Sequence, residues 1–142
     1  MAEIGFVDTS FWYALLDEED PHHAMVVTEY DGFVGGLVTT SYVVAETVSL
    51  MCGRGHRSIA GAFLRSFAES PRCTVIHPSA DVFDHAVSTF HKREDHPGLN
   101  LIDAISFVCM GASGSRIALA KDKHFAMEGF TLLPPLVGAR GA

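Results

Sequence analysis

Four carboxylates stand in places where a carboxylate is costly. Asp8 is the only charged residue between Ile4 and Leu16, Glu46 the only one from Gly32 to Gly53, and Asp103 the only one between His96 and Ser115. All three segments are otherwise apolar and core-forming. A buried, unpaired carboxylate costs several kcal/mol even after relaxation. These segments carry no lysine or arginine to offset that cost. Asp122 joins the three by position, because it follows the apolar run Arg116 to Ala120 as Asp8 follows Ile4 to Val7. Carboxylates that meet in one crevice cannot all ionise without a cation. An all-oxygen donor set suits a hard divalent ion, so the chemistry indicated is that of Mg2+ or Mn2+. Removing four acids takes the net charge from −7 to −3, so over half of the excess would belong to such a site.

Each acid also has an ordinary reading. Asp8 can cap a helix that begins at Thr9, and Asp103 can cap one that starts near Ala104. Glu46 would lie mid-helix, on a solvated face. Asp122 is flanked by Lys121 and Lys123 and can pair with either at the surface.

The elements that would position these residues follow from hydrophobic pattern. Short apolar runs at Ile4 to Val7, Leu37 to Thr40, Cys73 to His77, Arg116 to Ala120 and Thr131 to Leu133 read as strands. Helical segments separate them: Phe11 to Glu18, a second piece to about Tyr30, Ser41 to Cys52, one around Ile59 to Ala68, one capped by Ser79, and Leu101 to Ala112. Lys123 to Met127 is a turn or short helix. In the fourth helical segment Ile59, Ala60, Phe63, Leu64, Phe67 and Ala68 share one face of a 3.6-residue period. Strands that are apolar throughout and joined by helices indicate parallel pairing in a sheet covered on both faces. The expected fold is α/β, a three-layer α/β/α sandwich with a mostly parallel sheet of about five strands. Residues 1–136 form a single domain in this reading, and 137–142, rich in Gly and Ala, a flexible tail. Asp8 and Asp122 would then share the carboxyl edge of the sheet, where open α/β folds place their sites.

Composition narrows the alternatives. The chain has 142 residues, 48% hydrophobic and 19% charged, which suits one globular domain and excludes disorder. The longest stretch without a charged residue, Gly32 to Ala45, is 14 residues. A bilayer span needs about 20, so no membrane role is expected. No signal peptide is visible, and the cytoplasm is the expected compartment. Cys52, Cys73 and Cys109 form no CxxC pair and read as reduced core thiols. Neither GxGxxG nor GxxxxGK[ST] occurs, which disfavours dinucleotide and P-loop binding. An aspartyl phosphatase would want a second acid two residues after Asp8, where Ser10 stands.

The run Asp8-Thr9-Ser10, helical Glu46, Asp103 at the opening of a helix, and Ala118-Leu-Ala-Lys-Asp-Lys-His-Phe125 together resemble the PIN domain, and more narrowly the VapC-type toxins of toxin–antitoxin pairs. The resemblance covers nearly the whole chain. It implies a Mg2+- or Mn2+-dependent endoribonuclease with a five-stranded parallel sheet, with Asp8, Glu46, Asp103 and Asp122 at the family's acidic positions. Asp8, Asp103 and Asp122 would hold the ion, and Glu46 would ligate or orient. RNA is the implied substrate, an antitoxin protein the implied partner. A non-catalytic PIN-like RNA-binding or interaction domain is the alternative. The chain departs from the family pattern at Ile102, where Ser or Thr is common, and at His124, where some members carry another acid.

Other residues have weaker claims. Ser10 reads as a helix cap or a contact to water at the site, and His124 as a contact to water or phosphate beside Asp122. Arg54 and Arg57, with Arg65 two turns on, can meet RNA phosphates or acids of an antitoxin, and Lys121 and Lys123 can add local attraction for RNA. His22 and His23 read as exposed loop residues. At most two of Phe11, Trp12 and Tyr13 can face the core from one helix, so the remainder is expected at a homodimer or antitoxin interface.

Overall fold

The structure is a computed structural model and describes residues 3–70 and 72–136. Its elements run β1 (Glu3–Val7), α1 (Thr9–Leu16), α2 (His23–Gly32), β2 (Gly35–Thr40), α3 (Ser41–Gly53), α4 (Arg57–Glu69), β3 (Cys73–Ile76), α5 (Ala80–His91), α6 (Leu101–Ser113), β4 (Ile117–Leu119), α7 (Lys123–Met127) and β5 (Thr131–Leu133). The five strands form one all-parallel sheet in the order β3-β2-β1-β4-β5. The expected α/β architecture with about five strands is the one found. The segment 137–142, expected to be a flexible tail, lies outside the described residues.

Right-handed crossovers put α1 to α4 on one face of this sheet and α5 and α6 on the other. The packing agrees: α1 rests on α2 and α3, α3 on α4, and α5 on α6. The central strands are accordingly sealed from both sides, and Phe6, Val7, Ala118, Leu119 and Ala120 are fully buried. Thr39, also fully buried, donates from Oγ1 to the Val7 carbonyl at 2.8 Å and receives the Trp12 Nε1–H at 3.4 Å. One hydroxyl thus ties β2 to β1 and to the first turn of α1.

The three successive aromatics correct the sequence reading, for all of them are buried. Helix α1 is wrapped on two sides. Phe11 meets Tyr30 of α2 at 6.4 Å between centroids, and Trp12 stands edge-on to Phe63 of α4 at 5.1 Å. Tyr13 packs with Met51 and Ala60 in the α3–α4 hairpin. None of the three is left over for an interface. On α4 the correction runs the other way, since the apolar face is wider than the buried strip. Ala60 and Phe63 are buried, whereas Ile59 and Leu64 are exposed at 37% and 48%. Of the cysteines, Cys73 and Cys109 are buried, Cys52 is half-buried, and all three are free thiols.

Candidate active site

The carboxyl ends of β1 and β4 lie side by side, with Val7 opposite Leu119 and the Asp8 N–H donating to the Leu119 carbonyl at 3.0 Å. From β1 the chain crosses toward β2, and from β4 toward β5, so this is the point where strand order reverses. A crevice opens at such a point.

Asp8 is both a helix cap and a member of the acidic group. It caps α1, accepting on Oδ2 from the Ser10 N–H at 3.2 Å and the Ser10 hydroxyl at 2.8 Å. The Ser10 oxygen in turn receives the Lys121 N–H at 2.9 Å. One serine therefore fixes Asp8 and the segment that leads to Asp122.

Asp103 does not cap its helix as expected. Helix α6 begins at Leu101 and Asn100 is its cap, while Asp103 is the third helical residue. The Asn100 Oδ1 accepts from the Asp103 N–H at 2.8 Å, and the Asp103 Oδ2 accepts from the Asn100 N–H at 3.1 Å. This reciprocal box satisfies two otherwise orphaned donors. The cap is thus supplied two residues before Ile102, where the chain departs from the family pattern.

Asp122 caps α7. Its Oδ1 accepts from the His124 N–H at 2.9 Å and from His124 Nδ1 at 2.7 Å. An ionised carboxylate only accepts, so this contact assigns the ring proton to Nδ1. The alternative reading, a surface pair with a flanking lysine, is not seen among the described residues. The Lys121 ammonium turns instead to Asp20 at 3.6 Å, with His22 Nδ1 at 3.5 Å, and Lys123 is exposed.

The three aspartates share one design. Local hydrogen bonds fall on a single oxygen of each, and the second oxygen takes none among the described residues. Capping and ligation are therefore compatible, since one oxygen holds the backbone and leaves the other for the crevice. Oxygens of Asp103 and Asp122 and a ring nitrogen of His124 lie within 4.8 Å of one another. Asp8 is not among these three and is linked to them by the mutual repulsion of its carboxylate with those of Asp103 and Asp122.

Burial and mutual repulsion show in the acidities. Desolvation raises Asp8 to about 6 against the lowering effect of the Ser10 bonds, and the charges of Asp122 and Glu46 add to the rise. Asp103 is pushed up to about 7, chiefly by desolvation, with Asp8 and Asp122 adding and the Asn100 bond and His124 opposing. Glu46 is half-buried on α3. It is brought toward Asp8 by hydroxyl contacts that pin α1 to α3, from Thr9 Oγ1 to the Val43 carbonyl at 3.3 Å and from Thr47 Oγ1 to Thr9 Oγ1 at 3.2 Å.

The arginines lie elsewhere. Arg54 follows the far end of α3, about 12 Å along the helix from Glu46, with its guanidinium 4.8 Å above the Tyr13 ring. Arg57 and Arg65 line a groove between α3 and α4. Sequence reasoning missed Gly98. A Cβ there would stand 3.0 Å from His124 Cε1, so the bare backbone admits the imidazole. Nothing in His96-Pro97-Gly98 signals this, because the contact joins a loop to α7, which only the tertiary fold brings together.

A PIN-domain family model matches residues 5–127. The 23S rRNA-specific endonuclease VapC20 of Mycobacterium tuberculosis is 33% identical over 132 residues, which cover 92% of this chain and 98% of that protein. A VapC ribonuclease of Archaeoglobus fulgidus is 30% identical over 108 residues, 73% of this chain and 68% of that one. The crystal structure of the M. tuberculosis VapC20, a Sarcin-Ricin loop cleaving toxin, matches with a TM-score of 0.83 at 29% identity over 89% of this chain and 96% of its own. VapBC2 from Rickettsia felis, bound to a promoter DNA fragment, shares the fold with a TM-score of 0.68 at 14% identity, over 91% and 96% of the two chains. With the family model covering most of its length and VapC endonucleases among its homologues, the chain belongs to the PIN-domain family.

Proposed function

We propose that this chain is a divalent-metal-dependent endoribonuclease, the toxin of a toxin–antitoxin pair, and that it hydrolyses a phosphodiester in a loop of large-subunit ribosomal RNA. The observation that carries the reading is the set of Asp8, Asp103 and Asp122 at the switch-point edge, each with one oxygen tied locally and one not.

The donor chemistry fits Mg2+ or Mn2+. Asp8 and Asp103 are raised by desolvation and by neighbouring carboxylates, and none of the acids has an ammonium or guanidinium bonded to it among the described residues. A divalent ion would relieve that repulsion, and Asp8, Asp103 and Asp122 would hold it, with Glu46 beside Asp8. When bound, such an ion supplies a water acidic enough to ionise near neutral pH and positive charge against the charge that develops on the phosphodiester. The chain's own residues prepare the seat. Ser10 fixes Asp8, Asn100 fixes Asp103, and His124 fixes Asp122. Lys121 and Lys123 flank Asp122 and give local attraction for phosphate on a chain of net charge −7. Arg54 and Arg57, at the far end of α3, are suited to contacts outside the cleavage point.

The reading extends to an antitoxin partner, a homodimer and a cytoplasmic setting. Exposed Ile59, Leu64, Phe90 and Met127 support burial in an assembly. No helix among the described residues is long and apolar enough to cross a membrane. Light scattering at micromolar concentration tests the dimer. Incubation with an RNA hairpin carrying the large-subunit loop, with Mg2+ or Mn2+ and with chelator, tests the activity. Metal binding without cleavage of any RNA would return the non-catalytic reading.

A further inference from the structure

One interval along the sheet edge from the acidic seat, where the ends of β4 and β5 meet the start of α2, lies a cavity of about 300 Å3. The Ala120 N–H donates to the Leu133 carbonyl at 3.1 Å and so draws the two strand ends together. Lys121 lines the cavity from the end of β4, and Pro134, Pro135 and Leu136 line it from the end of β5. His22 and Met25 line it from the start of α2, which is held to α1 by a contact of His23 Nδ1 with the Ala14 carbonyl at 2.8 Å.

The walls divide by chemistry. Met25, Pro134, Pro135 and Leu136 are apolar, and Met25 and Pro135 are exposed. The polar side is organised by one carboxylate oxygen. Asp20 Oδ1 accepts the His22 N–H at 2.8 Å and stands 3.6 Å from the Lys121 ammonium, with His22 Nδ1 at 3.5 Å from that ammonium. Neither contact to Lys121 is a short hydrogen bond, so the ammonium keeps donors for a further acceptor. The backbone of Lys121 faces the other way. Its N–H is bonded at 2.9 Å to the Ser10 oxygen that also holds Asp8, one residue before Asp122.

Lys121 thus joins the acidic seat to the cavity. A cation and an imidazole at the rim of an apolar slot, beside a seat for a phosphodiester, match the chemistry of a nucleotide. The unpaired bases of RNA loops are splayed out and held on apolar and aromatic side chains, histidine included. The volume, at the low end for small-molecule sites, suits a single base.

Resting on the reading that the acidic edge cuts RNA, we propose that this cavity is a subsite for one unpaired base flanking the scissile phosphodiester. The base lies between Met25 and the prolines, the His22 ring covers it, and Lys121 meets the phosphate of that nucleotide.

Two measurements test this. In the first, protein labelled at its methionine methyls is titrated with nucleoside monophosphates and, separately, with ribose phosphate. The Met25 signal is expected to shift saturably with the nucleotides and to stay in place with ribose phosphate, which has no base. In the second, Mn2+-loaded protein cuts a hairpin RNA that carries an abasic site at each loop position in turn. Loss of one base beside the cut is expected to raise KM of wild type roughly 10-fold, within the range for one stacked base, with kcat nearly unchanged. Met25→Ala combined with His22→Ala alters two exposed side chains and keeps the fold. This variant is expected to show a similarly raised KM on intact RNA and no further rise on the abasic one, since both changes remove the same interaction. A Met25 signal that ignores the nucleotides, or an abasic effect of equal size in wild type and variant, overturns the proposal and leaves the ribonuclease reading standing. A variant that cuts every RNA as wild type does but escapes inhibition by its antitoxin gives the cavity to a protein partner and overturns it as well. No cut in any RNA removes the reading beneath the proposal, and the subsite with it.

Discussion

Ser10 and Asp8 form a closed local clamp: the serine hydroxyl donates to Asp8 Oδ2 at 2.8 Å, and its oxygen accepts the Lys121 N–H at 2.9 Å. Two strand ends are thereby locked through one side chain, and the aspartate that heads α1 is held in a single orientation. Ser10→Ala leaves the Asp8 oxygen with one donor fewer and the Lys121 N–H without its acceptor. The expected loss is about 1–2 kcal/mol of stability, read by urea denaturation, together with weaker Mn2+ binding by calorimetry. Unchanged values for both would show that the clamp has no part in organising the site.

The raised acids fix the pH dependence of the metal-free protein. Asp8 at about 6 and Asp103 at about 7 both lie above the ordinary value of 3.8, so between those limits the folded state binds more protons than the unfolded one. Stability from these groups is therefore present at low pH and is lost as pH rises through 4 to 7, by an amount on the order of a few kcal/mol. Asp8→Asn removes part of that loss. The amide oxygen keeps the Ser10 bonds, so the apo variant is expected to be more stable than wild type at pH 8 and to show a flatter stability–pH curve. Greater instability of the variant at pH 8 would mean that Asp8 serves only as a cap.

The same protons compete with the metal. Ligation needs the carboxylates ionised, so Mn2+ affinity should climb steeply with pH, by up to about 100-fold per unit well below pH 6 when two protons are displaced, and level off above pH 7 to 8. Calorimetry across pH 5 to 8 checks this. A flat profile would separate the bound ion from Asp8 and Asp103.

Gly98 supports the Asp122–His124 contact by what it lacks. Gly98→Ala places a methyl 3.0 Å from His124 Cε1. The ring is expected to tilt and the 2.7 Å bond to lengthen, at a cost on the order of 1 kcal/mol. Loss of the downfield Nδ1–H resonance of His124 in the NMR spectrum would show it. An unchanged resonance with unchanged stability would place slack in that loop.

Most of this was legible in the sequence because apolar pattern and isolated charge are strong signals. The five strands and the parallel sheet follow from runs such as Ile4 to Val7 and Ile117 to Ala120, which have no polar face to offer solvent. Asp8 and Asp103 stand out because nothing near them in sequence can neutralise them, and Asp122 by its place at the end of a strand, as Asp8 is at the end of another. The cap reading for Asp8 is the one its hydrogen bonds show, and it leaves room for the metal reading, since a carboxylate has two oxygens. Asn100 takes the cap that Asp103 could have supplied, a local exchange set by where the helix begins. What else the sequence hid was tertiary. Lys121 turns to Asp20, a partner 101 positions away by residue number. Phe11, Trp12 and Tyr13 are all buried because helices flank α1 on both sides, which a single helical wheel cannot show.

The most direct test of the central claim is cleavage of an RNA hairpin carrying the large-subunit ribosomal loop by wild type and by Asp103→Asn, each with Mn2+ and with excess EDTA. The Asn100 N–H can still donate to the amide oxygen, so the variant should fold. The account predicts a discrete cut by metal-loaded wild type and none in the other three reactions. A cut of equal rate by Asp103→Asn, or by wild type in excess EDTA, would contradict it.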